Sequence, residues 1–123
     1  TVDRMASKYG ITPSSLVAVI GPHIGVCCYE VGADVAEAIQ NPQAIETRSE
    51  WAKPHLNLAV ANRDQLIGSG VPAERVHLCG LSTVRYPQLL ESYRVEGERA
   101  GRMSAIATAA MLVNLSRRLK WAA

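Results

Sequence analysis

The sequence lacks the charge pattern of a protein that binds nucleic acids. Its 123 residues carry a formal net charge of only +2, and lysine and arginine form no long run. Because proteins that follow a phosphate backbone need clustered cations, we expect no nucleic-acid partner. The densest basic group is Arg117, Arg118 and Lys120, which is typical of the solvated end of a helix.

Long apolar runs are also missing. The most apolar stretch, residues 106–115, is shorter than the roughly 20 residues that cross a membrane, and Thr108 and Asn114 interrupt it. The first four residues already include Asp3 and Arg4, unlike the apolar segment of a signal peptide. We therefore expect no membrane partner and a cytoplasmic location.

Cysteine is scarce, with three residues in the whole sequence, and Cys27 and Cys28 are neighbours. Disulfides between adjacent cysteines are strained and rare, so a reducing compartment is favoured over a secreted disulfide scaffold. The sequence also has no C-x-x-C or H-x-x-x-H pair. His77 and Cys79 share one face of a predicted strand, where a structural role is favoured over a metal site, because zinc takes three or four ligands.

The elements that are present follow an α/β (α+β) pattern. Helices are predicted over residues 3–9, 33–40 and 57–68, and strands over 16–20 and 75–80. Residues 44–58 form either an irregular strand or a loop, with His55 in a loop, and a strand at 103–107 precedes a helix. We expect a mixed β-sheet flanked by helices.

The length suits one modest domain, residues 1–123. The first helix has no visible start, so we expect a partial domain cut from a longer protein, the alternative being the loss of a short native N-terminus. Residues 16–20 are all apolar, which predicts a strand buried on both faces. In the 33–40 helix, Val35, Ala36 and Ile39 are predicted to face the core.

The loop after the first strand, "GPHIGVCCYEVG" at residues 21–32, has the first unusual composition. Such a loop lies at the mouth of an α/β sheet, where ligands usually bind. Cys27 or Cys28 acts as a nucleophile if His23 lowers its pKa, although packing of two small side chains is the favoured interpretation. Glu30 serves either as an acid or base or as a charge near the next helix.

A second segment, "SYRVEGERAGRM" at residues 92–103, places Arg94 and Arg102 beside glycines. Guanidinium groups bind phosphate or carboxylate through a fork of donors. The alternative is that both arginines are ordinary surface residues of a loop.

Four segments in order, "IGPHIGVCCYEVG", "HLNLAVANRDQLIGSGV", "HLCG" and "ESYRVEGERAGRM", resemble the C-terminal half of the laccase-domain family. That family is also called multicopper polyphenol oxidase and purine nucleoside phosphorylase. The resemblance covers residues 2–107, and residues 112–123 extend past it as an extra tail. Three positions depart from the family pattern: Gly80 and Ala100 replace threonines, and Val95 replaces the second arginine of S-Y-R-R.

The resemblance implies the C-terminal part of a zinc-dependent phosphorylase of adenosine, inosine and methylthioadenosine, with adenosine deamination as a further activity. The implied partners are a purine nucleoside and phosphate. It also implies that the metal ligands lie outside this sequence, so that no residue here is a predicted metal ligand or catalytic group. The alternatives are a copper-dependent polyphenol oxidase and an inactive fragment or non-enzymatic interaction module. The oligomeric state is not fixed.

The substrate contacts that we predict come from the two unusual segments. Arg94 and Arg102 are expected to bind an anion, while Cys28 and Tyr29 are expected to lie nearest the substrate. Without metal ligands, the isolated chain should be inactive. Exposed sheet edges and apolar faces should also make it poorly soluble.

Overall fold

The structure, a computed structural model, describes residues 1–106. The helices are α1 Val2–Tyr9, α2 Ala33–Ala38, α3 Leu58–Gly68 and α4 Tyr93–Glu96. The strands are β1 Ala18–Ile20, β2 Ile45–Glu46, β3 His55–Leu56 and β4 Val76–Leu78. The predicted mixed α/β class is confirmed. The predicted tail at 112–123 and the helix expected after residue 107 lie outside the described residues.

The strands pair in two small sheets within the described part of the chain. β1 and β4 are parallel, with Ala18 opposite Val76, and an isolated bridge between His23 and Ser82 follows the pair in the same direction. β2 and β3 are antiparallel, with Ile45 opposite Leu56. Parallel and antiparallel pairing therefore both occur.

β1 is covered on one face. Ile20 is buried, whereas Val17 and Val19 are 63% and 69% exposed. Side chains alternate between the faces of a strand, and α3 packs against β1 and β4. The prediction of a strand buried on both faces is therefore wrong for the described residues, which supply one covering layer.

The hydrophobic core lies beside the second sheet. Val31, Ala44, Leu56 and Ala61 form its buried centre. α3 begins as predicted, because the Asn57 side chain accepts a hydrogen bond from the backbone N–H of Val60 at 3.2 Å and so caps the helix.

Several local predictions need correction. His55, predicted in a loop, is buried in β3 at 6% exposure, because its backbone pairs with both Glu46 and Glu30. Val35 was predicted to face the core but is exposed, since α2 turns only Ala36 and Ile39 towards it. Residues 103–106, the predicted start of a strand, have no regular structure.

α1 agrees with its prediction and ends at Gly10, whose φ of 65° is open to glycine and whose N–H donates to the carbonyl of Ala6. None of the helices in residues 1–106 combines the length and apolar character that a membrane crossing requires.

Candidate functional site

The loop of residues 21–32 follows β1 and is held by the segment after β4. The N–H of His23 donates to the carbonyl of Leu81 at 3.2 Å, and the N–H of Thr83 donates back to the carbonyl of His23 at 3.1 Å. The N–H of Gly25 donates to the hydroxyl of Ser82 at 3.3 Å. The parallel pairing of β1 and β4 thus continues into the loop and fixes its first half.

The second half of the loop is held by β3. The Nδ1 atom of His55 lies 2.6 Å from the carbonyl oxygen of Val26, which can only accept, so this nitrogen carries the proton and donates. The N–H of Leu56 donates to the carbonyl of Tyr29 at 3.0 Å, and the N–H of Val31 donates to that of Pro54 at 2.9 Å. Three hydrogen bonds therefore position the backbone around Tyr29.

His55 is supported in turn by an aromatic stack. Its ring lies parallel to that of Trp51, with 3.8 Å between the centroids. The guanidinium of Arg48 lies 4.5 Å from the Trp51 ring on a cation–π contact. These contacts fix the ring plane from which Nδ1 donates.

Tyr29 and Arg94, from the two unusual segments of the sequence, meet in the structure. The Arg94 guanidinium carbon lies 5.4 Å from the centroid of the Tyr29 ring, within the range of a cation–π contact. One guanidinium nitrogen also donates to the carbonyl of Glu30 at 3.5 Å. Arg94 is exposed, so its remaining donors can face a ligand.

These two side chains border a cavity of about 340 Å³, which we name the Tyr29–Arg94 cavity. It is lined by Ile24, Tyr29, Leu58, Thr83, Glu91, Ser92, Tyr93 and Arg94. A cation, two tyrosine rings, several hydroxyl groups and the carboxylate of Glu91 therefore line one space. A larger cleft of about 460 Å³ lies between the start of α1, the end of β1 and α3, and no lysine or arginine lines it.

Sequence reasoning missed two polar residues of the cavity. Thr83 and Ser92 are buried at 7% and 6% exposure and line it beside Arg94. Ser92 belongs to the quoted S-Y-R segment, so its position next to Arg94 was an available signal. Thr83 had no such signal, because only the pairing with His23 brings it to the cavity.

Cys28 lies outside the lining of this cavity. Its sulfur is 3.0 Å from that of Cys27. The hydrogen bond between the two thiols, together with burial, raises the pKa of the Cys28 thiol, and the positive charge of Arg85 opposes this shift. His23, considered as a base for these thiols, instead has its Nδ1 atom 2.8 Å from the carbonyl oxygen of Gly21.

Arg102 also lies outside the lining of the Tyr29–Arg94 cavity. Its Nη1 atom donates to the carbonyls of Ala100 and Gly101 at 3.2 and 3.0 Å, within its own loop. That loop is fastened by Glu91, whose carboxylate accepts from the N–H of Gly101 at 2.7 Å. Glu91 also lines the cavity, so it connects the loop of Arg102 to the cavity wall.

A zinc or copper ion does not fit the described residues. Three or four ligands are needed for zinc, and within residues 1–106 no three His, Cys, Asp or Glu side chains come close enough together. His77, within β4, and Cys79, just after its end, are both exposed.

Comparisons with known proteins connect this geometry to a family. A family described as "Multi-copper polyphenol oxidoreductase laccase" matches residues 1–110. A purine nucleoside phosphorylase of Bacteroides thetaiotaomicron is 34% identical over 84% of this chain and 40% of its own length. The adenosine deaminase RL5 of an unknown prokaryotic organism is 36% identical over 62% of this chain and 34% of its own length.

The crystal structure of the hypothetical protein YfiH of Bacillus licheniformis is also similar. Its TM-score is 0.68 at 32% identity, covering 76% of this chain and 37% of that one. The chain thus spans about 40% of the length of the Bacteroides relative.

Proposed function

This chain belongs to the multi-copper polyphenol oxidoreductase laccase family, and we propose that it is the C-terminal part of a purine nucleoside phosphorylase. The observation that carries the proposal is the 34% identity to the Bacteroides phosphorylase, which extends over 84% of the chain. The proposed substrates are adenosine, inosine and methylthioadenosine, together with phosphate. The likeness to adenosine deaminase RL5 supports adenosine deamination as a further activity.

In this proposal, Arg94 binds the phosphate. Phosphorolysis forms a bond between a phosphate oxygen and the sugar carbon while the bond from that carbon to the purine breaks. A guanidinium fork holds an anion in a defined orientation, which favours attack at one carbon. Tyr29 restrains the Arg94 side chain from one face, as their 5.4 Å contact supports.

The hydroxyls of Thr83 and Ser92 are proposed to bind oxygen atoms of the sugar or phosphate, because both residues line the cavity beside Arg94. Arg102 and Cys28 stay predictions for substrate contact. Each would first exchange a partner within its own segment for the ligand. The cavity is therefore assigned here to anion and sugar binding.

Zinc is the proposed metal, with ligands outside this chain, since the described residues do not form a site for it. A bound zinc would stabilise negative charge as a Lewis acid. We further propose a cytoplasmic location, in keeping with three free cysteines.

The alternative function, copper-dependent oxidation of phenols, is favoured by the description of the matching family. It requires copper ligands outside this chain as well. Because both functions depend on a metal, they differ in substrate and in the metal that must be supplied.

One experiment on the full-length protein separates these activities. Adenosine is incubated with and without inorganic phosphate, and the products are resolved chromatographically. A phosphorylase releases adenine only with phosphate and stops after chelation. A deaminase forms inosine without phosphate, and an oxidase consumes a phenol only with added copper. Absence of phosphate-dependent adenine release would reject the main proposal.

A further inference from the structure

Cys27 and Cys28 place two thiols at one point of the surface. Their sulfur atoms are 3.0 Å apart in the tight turn Val26–Cys28. Both are free thiols, Cys27 exposed and Cys28 half-buried. The pair lies outside the lining of the Tyr29–Arg94 cavity, and the proposed phosphorolysis gives Cys27 no role.

The distance between the sulfurs selects the shape of ligand that the pair can hold. Bonds from sulfur to a soft ion are about 2.3 Å long. A linear, two-coordinate ion would therefore need sulfurs about 4.6 Å apart, whereas a pyramidal centre with nearly right angles needs about 3.3 Å. The observed 3.0 Å is much closer to the spacing of the pyramidal centre than to that of the linear ion.

The charge near the pair favours a neutral ligand. The positive charge of Arg85 acts on the Cys28 thiol and opposes the rise in its pKa, so the same charge disfavours a cationic ligand there. The same thiol is held in its protonated form by its hydrogen bond to Cys27. A suitable ligand is therefore thiophilic and carries no positive charge of its own.

We propose that Cys27 and Cys28 form a dithiol site for trivalent arsenicals, which are neutral, pyramidal and thiophilic. With arsenous acid, two arsenic–oxygen bonds break and two arsenic–sulfur bonds form. The two thiol protons leave with the two displaced hydroxides as two water molecules. Arsenic keeps its oxidation state, so no oxidant or reductant is required.

The turn is pre-organised for this chelate. The N–H of Cys28 donates to the carbonyl of Gly25 at 3.0 Å, and His55 holds the carbonyl of Val26. After the first sulfur binds, the second bond is intramolecular. Such linkage strengthens binding by about 100-fold or more over one site alone.

The test uses phenylarsine oxide, which binds two thiols and releases its oxygen as one water. Its affinity is measured by calorimetry on the reduced full-length protein and on three variants. We expect Cys27→Ser and Cys28→Ser each to weaken binding by at least about 100-fold. Cys79→Ser, the matched control at an exposed single thiol, should leave the affinity unchanged. Equal affinity of Cys27→Ser and the parent, or no binding by the parent, would overturn the proposal.

A second measurement needs no variant and so does not depend on variant folding. The arsenical complex of the parent protein is treated with mercaptoethanol or dimercaptopropanol at equal thiol concentration. An arsenical bound through two sulfurs should stay on the protein in mercaptoethanol and be released by dimercaptopropanol. Equal release by both reagents would show attachment through a single sulfur and contradict the site.

Discussion

At the scale of single residues, the Tyr29–Arg94 cavity depends on a cation presented from a helix of only four residues. Arg94 contacts the ring of Tyr29 and the carbonyl of Glu30. Both partners belong to a loop that other residues position. The position of the Arg94 guanidinium therefore depends on the position of that loop.

Replacing Arg94 by alanine should raise the KM for phosphate by about 10- to 100-fold, because hydrogen bonds to charged groups contribute about 1.5–3 kcal/mol. Arg94→Lys should recover only part of this, since lysine lacks the planar fork. Initial rates of the full-length protein at varied phosphate give both values. Arg99→Ala, at an exposed arginine outside the cavity lining, is the matched control. An unchanged KM in Arg94→Ala would remove Arg94 from the site.

His55→Ala should lower the free energy of unfolding by about 2–3 kcal/mol, because it leaves the carbonyl of Val26 without its donor and removes the ring stacked on Trp51. Urea denaturation measures this change. His55→Asn retains a nitrogen donor near the position of Nδ1 and should lose less. Equal losses in the two variants would mean that packing, and not the hydrogen bond, holds the loop.

The pKa of Cys28 leads to a prediction about pH. A raised pKa leaves less thiolate at neutral pH, so alkylation of Cys28 should be slow and should accelerate as the pH rises. Cys27→Ala removes the largest cause of the shift, so its alkylation profile should move to lower pH. Peptide mass spectrometry after timed exposure to iodoacetamide follows this residue alone. A profile that moves to higher pH would contradict the assignment.

Composition singled out two segments of the sequence, and the structure brings them into contact. Tyr29 and Arg94 are predicted site residues because each lies in a segment with glycines, one as an aromatic ring and the other as a guanidinium. In the structure the two side chains are in contact. The buried position of His55 could not be predicted, because it depends on pairing with residues distant in sequence. Thr83 was missed because its place in the cavity also depends on a distant pairing, with His23. Its hydroxyl alone was no signal, since hydroxyl residues in loops are common.

At the scale of elements, α3 and β3 form the unit that supports the site. Asn57 joins them: its side chain caps α3 and also donates to the Glu46 carboxylate in β2 at 3.0 Å. The helix start and the second sheet therefore share one residue. α1 and α3 were predictable because each is long enough to show helical periodicity. β2 and β3 were not, since two residues cannot show alternation.

Asn57→Ala should destabilise the fold by about 1–2 kcal/mol through loss of the helix cap. Asn57→Asp keeps the cap acceptor but places a carboxylate beside Glu46, so its stability should improve with added salt. Thermal unfolding at two salt concentrations measures both effects. Asn62→Ala, within the same helix and exposed, is the control and should change little. If the stability of Asn57→Asp did not change with salt, repulsion between the new carboxylate and Glu46 would be excluded.

At the scale of the whole molecule, the described residues cover β1 on one side only. The exposed valines Val17 and Val19 belong to the uncovered face. Apolar surface of this kind promotes association of chains. The Bacteroides relative is more than twice as long as this chain, so its additional residues are numerous enough to form a covering layer there.

Val19→Thr should reduce self-association of the 123-residue chain while changing its stability by less than about 0.5 kcal/mol, because Val19 is 69% exposed. Ile20→Thr, one residue along and buried, should cost more than about 2 kcal/mol. Sedimentation measures the self-association, and urea denaturation measures the free energy of unfolding. Similar destabilisation by both variants would mean that Val19 is covered in solution.

The pairing of Ala18 with Val76 also determines when this protein can fold on the ribosome. At a translation rate of about 5–20 residues per second, β4 emerges about 3–12 seconds after β1. Until then the apolar strand β1 has no parallel partner, and loop closure must precede any gain from the pairing. During that interval the nascent chain exposes an unpaired apolar segment, the kind of surface that promotes aggregation.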